Sequence, residues 1–242
     1  IAESVERDDD AVGVGGVGSW AAEALARCGV AALTLIDMDH VAESNINRQV
    51  QALGATLGKA KVQALAERIA DIHPGCDVHG IEDFAAADNW PALLPNAVDA
   101  VIDACDQVRA KQALAAWACR HKGLAHVCVG AAGGKQLAQQ VQVDDLALAT
   151  HDPLLAGLRQ RLRKSGDAPR SGSIGVRCVF SREPVRLPGE AACAADVEAS
   201  LNCHGYGSSV MVTATFGLAA ASDVVQQLLV RTLDKSAAAV PL

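Results

Sequence analysis

The chain has 242 residues, half of them hydrophobic and 20% charged, which excludes general disorder and suits one folded unit with a large core. Aromatic residues make up only 3%, so that core must be built from Ala, Val, Leu and Ile. A net charge of −7 and a pI near 5.4 exclude a protein that holds nucleic acid through its overall charge, leaving a local basic patch to look for.

Short apolar runs alternate with helical periodicity, the pattern of a parallel sheet with crossover helices. A strand is expected over 11–14 and a helix over 17–28, stopped by Gly29. A second strand covers 32–36. A helix over 59–72 puts Val62, Leu65, Ala66 and Ile69 on one face and ends before Pro74. Strands are expected at 76–81 and 98–103, a helix at 108–121 and a strand at 124–129. Beyond that the pattern loosens: short strands near 141–143 and 177–180, a helix over 153–164, a mobile loop over 164–173 and a mostly helical stretch over 208–230. The expected fold is α/β, a Rossmann-like, mainly parallel sheet flanked by helices, with a C-terminal antiparallel extension and helix. The apolar run at 210–221 is broken by Thr213 and Thr215 and is shorter than a membrane span requires.

Eight cysteines are scattered along the chain without any C-x-x-C pair, so the usual zinc and thioredoxin signatures are missing. The acidic opening does not read as a signal peptide. Reduced thiols in a cytoplasmic protein fit this pattern best, with contact to a membrane surface left open.

The first chemical signal is Gly13-Val14-Gly15-Gly16-Val17-Gly18, a G-x-G-x-x-G turn between strand and helix. Such a turn brings backbone close to a phosphate, and the helix after it aims its free N–H groups at the anion. Asp37 falls 19 residues after Gly18, where an acidic side chain meets a ribose hydroxyl. To this point NAD and ATP are equally served, although no G-x-x-x-x-G-K-[ST] occurs. The next stretch of chain favours a triphosphate: Asp39, then Ser44-Asn45-Ile46-Asn47-Arg48-Gln49, then Gly58-Lys59-Ala60-Lys61, supply the cations and amides that phosphates need. The fourth strand then ends in Asp103-Ala104-Cys105-Asp106, at the ligand-facing edge of an open α/β sheet, where Asp106 is suited to Mg²⁺ between phosphate oxygens.

These motifs, in this order, resemble the ubiquitin-activating-enzyme superfamily of adenylyltransferases. The resemblance implies that Gly13, Gly15, Gly16 and Gly18 form the phosphate turn and that Asp37 binds ribose. It implies that Asn45, Arg48 and Lys61 bind the triphosphate and that Asp106 supports magnesium, with Asp39 and Gln49 beside them. Arg48, Lys61 and Asp106 would carry the catalysis.

Three further segments are more specific: Gly130-Ala131-Ala132-Gly133-Gly134, Asp152-Pro153-Leu154, and Cys203-His204-Gly205-Tyr206-Gly207-Ser208 running into the last helix. With them the chain resembles, from about residue 12 to 230, the tRNA threonylcarbamoyladenosine dehydratases. That resemblance implies a carboxylate activated as an acyl-adenylate by ATP and Mg²⁺ and then closed into a ring by a tethered nitrogen. It implies a cytoplasmic homodimer, a tRNA substrate, a cysteine desulfurase or sulfur-acceptor partner, a monovalent cation (Na⁺ or K⁺) and no zinc. The whole of 1–242 would be one adenylating domain, with nucleotide binding over about 10–135 and a tRNA-facing part over about 136–242. Relatives carry an arginine ahead of the first strand; Arg7 is the one available here. The nucleophile is already tethered, so Cys203 is expected to be structural or substrate-positioning rather than a nucleophile. His126 and His204 are candidate proton handlers, with a structurally satisfied polar residue the preferred reading of each.

An RNA substrate agrees with the charge pattern. Between 154 and 186 eight basic residues face two acidic ones, and Arg159, Arg161, Arg163, Lys164, Arg170 and Arg177 are the expected tRNA contacts. Two other readings share parts of this pattern: an activator of a ubiquitin-like sulfur carrier, and a non-catalytic nucleotide-binding partner of sulfur-transfer machinery.

Overall fold

The structure, a computed structural model, describes residues 8–95, 97–121, 123–185 and 207–238, with side chains from 12 to 232. The elements in order are β1 (Asp8–Val12), α1 (Gly18–Arg27), β2 (Ala32–Ile36), α2 (Lys61–Ile72), β3 (Asp77–Ile81), β4 (Ala100–Asp103), α3 (Val108–Arg120), β5 (Ala125–Val129), β6 (Val141–Asp145), α4 (Pro153–Ser165), β7 (Arg177–Ser181) and α5 (Val210–Ala238). They form one seven-stranded sheet in the order β3-β2-β1-β4-β5-β7-β6. Every neighbouring pair is parallel except β6–β7, the antiparallel extension at one edge. The order reverses between β1 and β4, and at such a switch point the loops leaving the carboxyl ends diverge and open a crevice.

Periodicity located the elements and missed some ends. The first strand starts at Asp8 and stops at Val12, rather than covering 11–14, because Gly13 turns the chain with φ 82°. Asp8, Asp9 and Asp10 lie within the ladders to β2 and β4, since ladder bonds are made by backbone and tolerate a polar sequence. The loop expected to be mobile over 164–173 is anchored instead. Helix α4 runs on to Ser165, Gly166 ends it at φ 86°, and Arg163 donates to the Gly172 carbonyl at 3.1 Å. Asp145 then accepts from Ser173 Oγ and from the N–H groups of Ile174 and Gly175.

Helix α5 crosses beneath the sheet and sets the position of α1. Its residues Val212, Phe216, Ala220, Val224 and Leu228 recur every four positions and are buried against the strands. On the side facing α1, a Cβ at Gly217 would stand 2.5 Å from the Val17 carbonyl oxygen and 2.9 Å from the Ala21 nitrogen. Only glycine permits that approach. Among the described residues no helix is long and apolar enough to cross a membrane.

Candidate nucleotide and acyl-transfer site

At the β1/β4 switch point lies a cleft of about 270 Å³. Its floor is the Gly13–Gly18 turn. A Cβ on Gly18 would fall on the Gly13 carbonyl, and one on Gly13 would press at 3.1 Å on the backbone of Ala104 and Cys105. Gly15 faces the open cleft, and a Cβ on Gly16 would stand 3.3 Å from the stem of Arg48, which packs over the turn. No side chain caps the N-terminus of α1, which leaves its positive end available to an anion.

Carboxylates and cations converge above this floor. Asp37 leaves β2 into the cleft, and its Oδ1 accepts the Asp39 N–H at 2.9 Å. Burial pushes its carboxyl above the usual range, and the nearby Lys61 ammonium pulls it back. Lys61 opens α2, which returns to the sheet edge through the His40–Ala60 bridge. Its Nζ lies 2.6 Å from Asp39 Oδ2 and 3.8 Å from Asp37 Oδ1. Asn45 is buried and accepts the Ala42 N–H through Oδ1 at 2.9 Å, locking the turn that carries Arg48. The Arg48 guanidinium donates to Ser44 O at 2.7 Å and to Asn47 Oδ1 at 3.0 Å, while the Arg48 carbonyl accepts from Trp20 Nε1 at 2.9 Å. Gln49 is buried and bridged by Gln51 to the Val14 carbonyl. The structure therefore brings Gly13, Gly15, Gly16, Asp37, Asp39, Asn45, Arg48, Gln49, Lys61 and Asp106 around one space, with Gly18 packed directly behind it.

Three expectations change. Asp103, expected with Asp106 at the ligand edge, points the other way. It is fully buried, with Oδ1 2.8 Å from Lys111 Nζ and accepting the Cys105 thiol at 2.9 Å. His126 lies inside β5 and outside the cleft, and burial pushes it down to about 4, so it is no proton handler for this site. Of the six expected tRNA contacts, two are tied to backbone, one is paired but exposed, and three are exposed. Arg159 donates to the carbonyls of Leu146 and Ala149 and Arg163 to that of Gly172, Arg177 pairs with Asp223 while its side chain stays 44% exposed, and Arg161, Lys164 and Arg170 are exposed with no such partner among the described residues. Arg7, Cys203 and His204 lie outside the described residues.

Two segments of the lining had gone unassigned. Phe84 stands 44% exposed at the rim, on a loop pinned by Asp83 and Asn89. Gly130–Gly133 and Leu154 form the wall beyond β5. The glycine run was visible in the sequence, but its arrival at the cleft depends on the sheet order.

A nucleotide turn, two carboxylates, two cations and a third carboxylate at one switch point define an ATP-handling class of site. Residues 11–240 match the model of the ThiF family, and the chain belongs to that family. It is 44% identical to the tRNA threonylcarbamoyladenosine dehydratase of Escherichia coli, over 91% of this chain and 85% of the relative. Against the Haemophilus influenzae dehydratase identity is 41%, over 90% of this chain and 84% of the relative. The crystal structure of the E. coli dehydratase in complex with ATP superposes with a TM-score of 0.84 at 42% identity, covering 94% of this chain and 88% of that one.

Proposed function

We propose that the chain catalyses the ATP-dependent dehydration of threonylcarbamoyladenosine in tRNA. The observation that carries this reading is the single cleft holding the glycine turn, Asp37, Asn45, Arg48, Lys61 and Asp106, in a chain similar to the dehydratases along nearly its whole length. Asp37 orients the ribose. The α1 N-terminus, Arg48 and Lys61 neutralise the phosphates, and Lys61 exchanges its bond to Asp39 for one to phosphate. Asp106 is the carboxylate suited to Mg²⁺, an ion commonly held by one or two carboxylates together with substrate phosphates. Magnesium bound there would offset charge on the phosphates.

The threonyl carboxylate attacks the α-phosphorus and the bond to the bridging oxygen breaks, releasing pyrophosphate and leaving an acyl-adenylate. The carbamoyl nitrogen, tethered in the same molecule, attacks the acyl carbon. AMP leaves, the nitrogen gives up its proton, and a five-membered ring closes. Tethering makes the second step intramolecular, so no enzyme thiol is required. Excluding water from the cleft protects the adenylate from hydrolysis.

The exposed Arg161, Lys164 and Arg170 are the tRNA contacts in this reading. They lie on and just after α4, which starts at the cleft lip with Leu154 and extends about 15 Å to Lys164. Residues 10–135 serve the nucleotide and 136–242 the tRNA, within one cytoplasmic adenylating unit. Exposed Met211, Leu218 and Leu229 on α5 are consistent with a homodimer, and a sulfur-acceptor partner belongs to the same reading.

The test is incubation with ATP, Mg²⁺ and tRNA carrying the modified adenosine, then mass spectrometry of the nucleosides. Loss of one water that requires ATP and is abolished in Arg48→Ala is expected. An unchanged nucleoside, with pyrophosphate exchange on a carrier-protein C-terminus, would transfer the site to sulfur-carrier activation.

A further inference from the structure

The two glycine walls of the cleft are supported differently. The Gly13–Gly18 turn is held by the sheet itself, but the Gly130–Gly133 wall is backed by a buried polar cluster that lies behind the cleft lining. At its centre is Lys135, only 2% exposed. Its Nζ donates to the carbonyl oxygens of Glu183 at 2.5 Å, His151 at 2.8 Å and Ser181 at 3.4 Å. An ammonium has three donors and no acceptor, so this carbonyl cage saturates it. Desolvation pushes Lys135 below its ordinary value, and the carboxylates of Asp152 and Glu183 oppose that.

Both carboxylates are also bonded to the backbone that shapes this wall. Asp152 accepts the Ala131 N–H at 2.8 Å and the Leu155 N–H at 3.0 Å, joining the wall to the start of α4. Glu183 accepts the N–H groups of Gln136 and Leu137, both at 2.8 Å. A Cβ on Gly130 would fall on Asp152 Oδ2, so the carboxylate lies hard against the wall. His151, whose carbonyl completes the cage, is the single non-glycine residue with positive φ (57°) among the described residues. A left-handed conformation at histidine is held by its surroundings, and here Lys135 grips its carbonyl.

We propose that Lys135 is a positioning residue for the acyl half of the reaction. Acting as a fixed internal cation, it ties the carbonyls of 151, 181 and 183 together and, through Asp152 and Glu183, sets the wall against which the threonyl carboxylate lies. This role rests on the dehydratase function of the cleft. The nucleotide half is held by Gly13–Gly18, Asp37 and Lys61, none of which bonds to Lys135, so the two halves are separable by experiment.

Lys135→Met keeps the length of the stem and removes every donor. Because displacement of a reacting group by about 1 Å costs on the order of 100-fold, kcat with modified tRNA should fall by roughly 30-fold or more. The Kd for ATP–Mg²⁺ should stay within about twofold. Amide exchange should rise by at least about tenfold at Ala131, Gln136 and Leu137 and stay unchanged in β1 and β2. Lys135→Gln restores an amide donor and should recover part of the rate; it also carries the same readouts if the methionine variant does not fold. A kcat within about twofold of wild type overturns the proposal. So does a joint fall in rate and ATP affinity with exchange rising across the whole sheet, the signature of an ordinary core lysine. If wild type itself forms no AMP with modified tRNA, the functional reading fails, and the exchange and ATP-binding arms still decide whether Lys135 anchors the wall.

Discussion

Two lysine–carboxylate groups stand on either side of the carboxyl edge of the sheet, and their difference separates support from chemistry. Lys111 and Asp103 are both 0% exposed, at 2.8 Å, and the ammonium also reaches the Asp103 carbonyl. Asp103 holds the Lys111 ammonium in its charged form against the pull of burial. Lys61 makes an equally short bond to Asp39, but that carboxylate is 57% exposed and a second, Asp37, waits at 3.8 Å. A sealed pair has nowhere to go and fixes the end of β4 to α3. An open pair is able to exchange one anion for another, as the proposed phosphate recognition requires.

The sharpest way to break this comparison is to remove each lysine in turn. Lys61→Met should lower kcat/KM for ATP by roughly 100- to 1,000-fold, the usual loss for one preorganised charge donor, with melting little changed. Lys111→Met strands the Asp103 carboxylate and should cost about 3–5 kcal/mol of stability in urea or thermal melts, while nucleotide affinity in the surviving folded fraction stays near wild type. Reversed effects would mean that the roles are reversed.

A second test uses acid. His126 is buried with both ring nitrogens unpartnered, and its value drops from an ordinary 6.5 to about 4, chiefly through burial, with Asp103 and Lys111 acting in opposite directions nearby. Below 6.5 the unfolded chain gains a proton that the folded chain refuses. Stability should therefore fall as pH drops from about 6.5 to about 4, by up to about 3 kcal/mol, and then level off for this group. His126→Leu should remove that component from a series of melts, whereas a catalytic histidine would instead reshape the rate profile.

The smallest contrast lies in the basic stretch. Replacing the exposed Arg161, Lys164 and Arg170 by alanine should raise KM for tRNA, flatten its salt dependence and leave KM for ATP alone. Arg177→Ala removes a half-exposed pair with Asp223 and should change stability by less than about 1 kcal/mol, with little effect on tRNA binding.

The parts legible in the sequence are those carried by local pattern. The glycine turn, Asp37 and the Asn45–Gln49 segment announce themselves by spacing because they follow directly on β1 and β2 in the chain. Asp106 could be singled out by its place at the end of D-A-C-D, but the inward turn of Asp103 onto Lys111 follows from the packing of α3 and has no local signal. Lys61 and Lys111 look alike as charges near helix starts and both are buried; the exposure of their partners separates them, Asp39 open to solvent and Asp103 sealed. Arg159, Arg163 and Arg177 read as free cations until tertiary structure supplies acceptors. Phe84, the Gly130–Gly133 wall and the Lys135 cage depend on strand order and on contacts across more than forty residues of chain, which no local pattern encodes.

The most direct measurement counts two products in one sample: AMP released and cyclised adenosine formed on modified tRNA. One AMP for each ring closed is the predicted result, because the adenylate is the obligatory intermediate and its only productive exit is ring closure. AMP without ring formation, or rings without AMP, would contradict an adenylate-driven dehydration in this cleft.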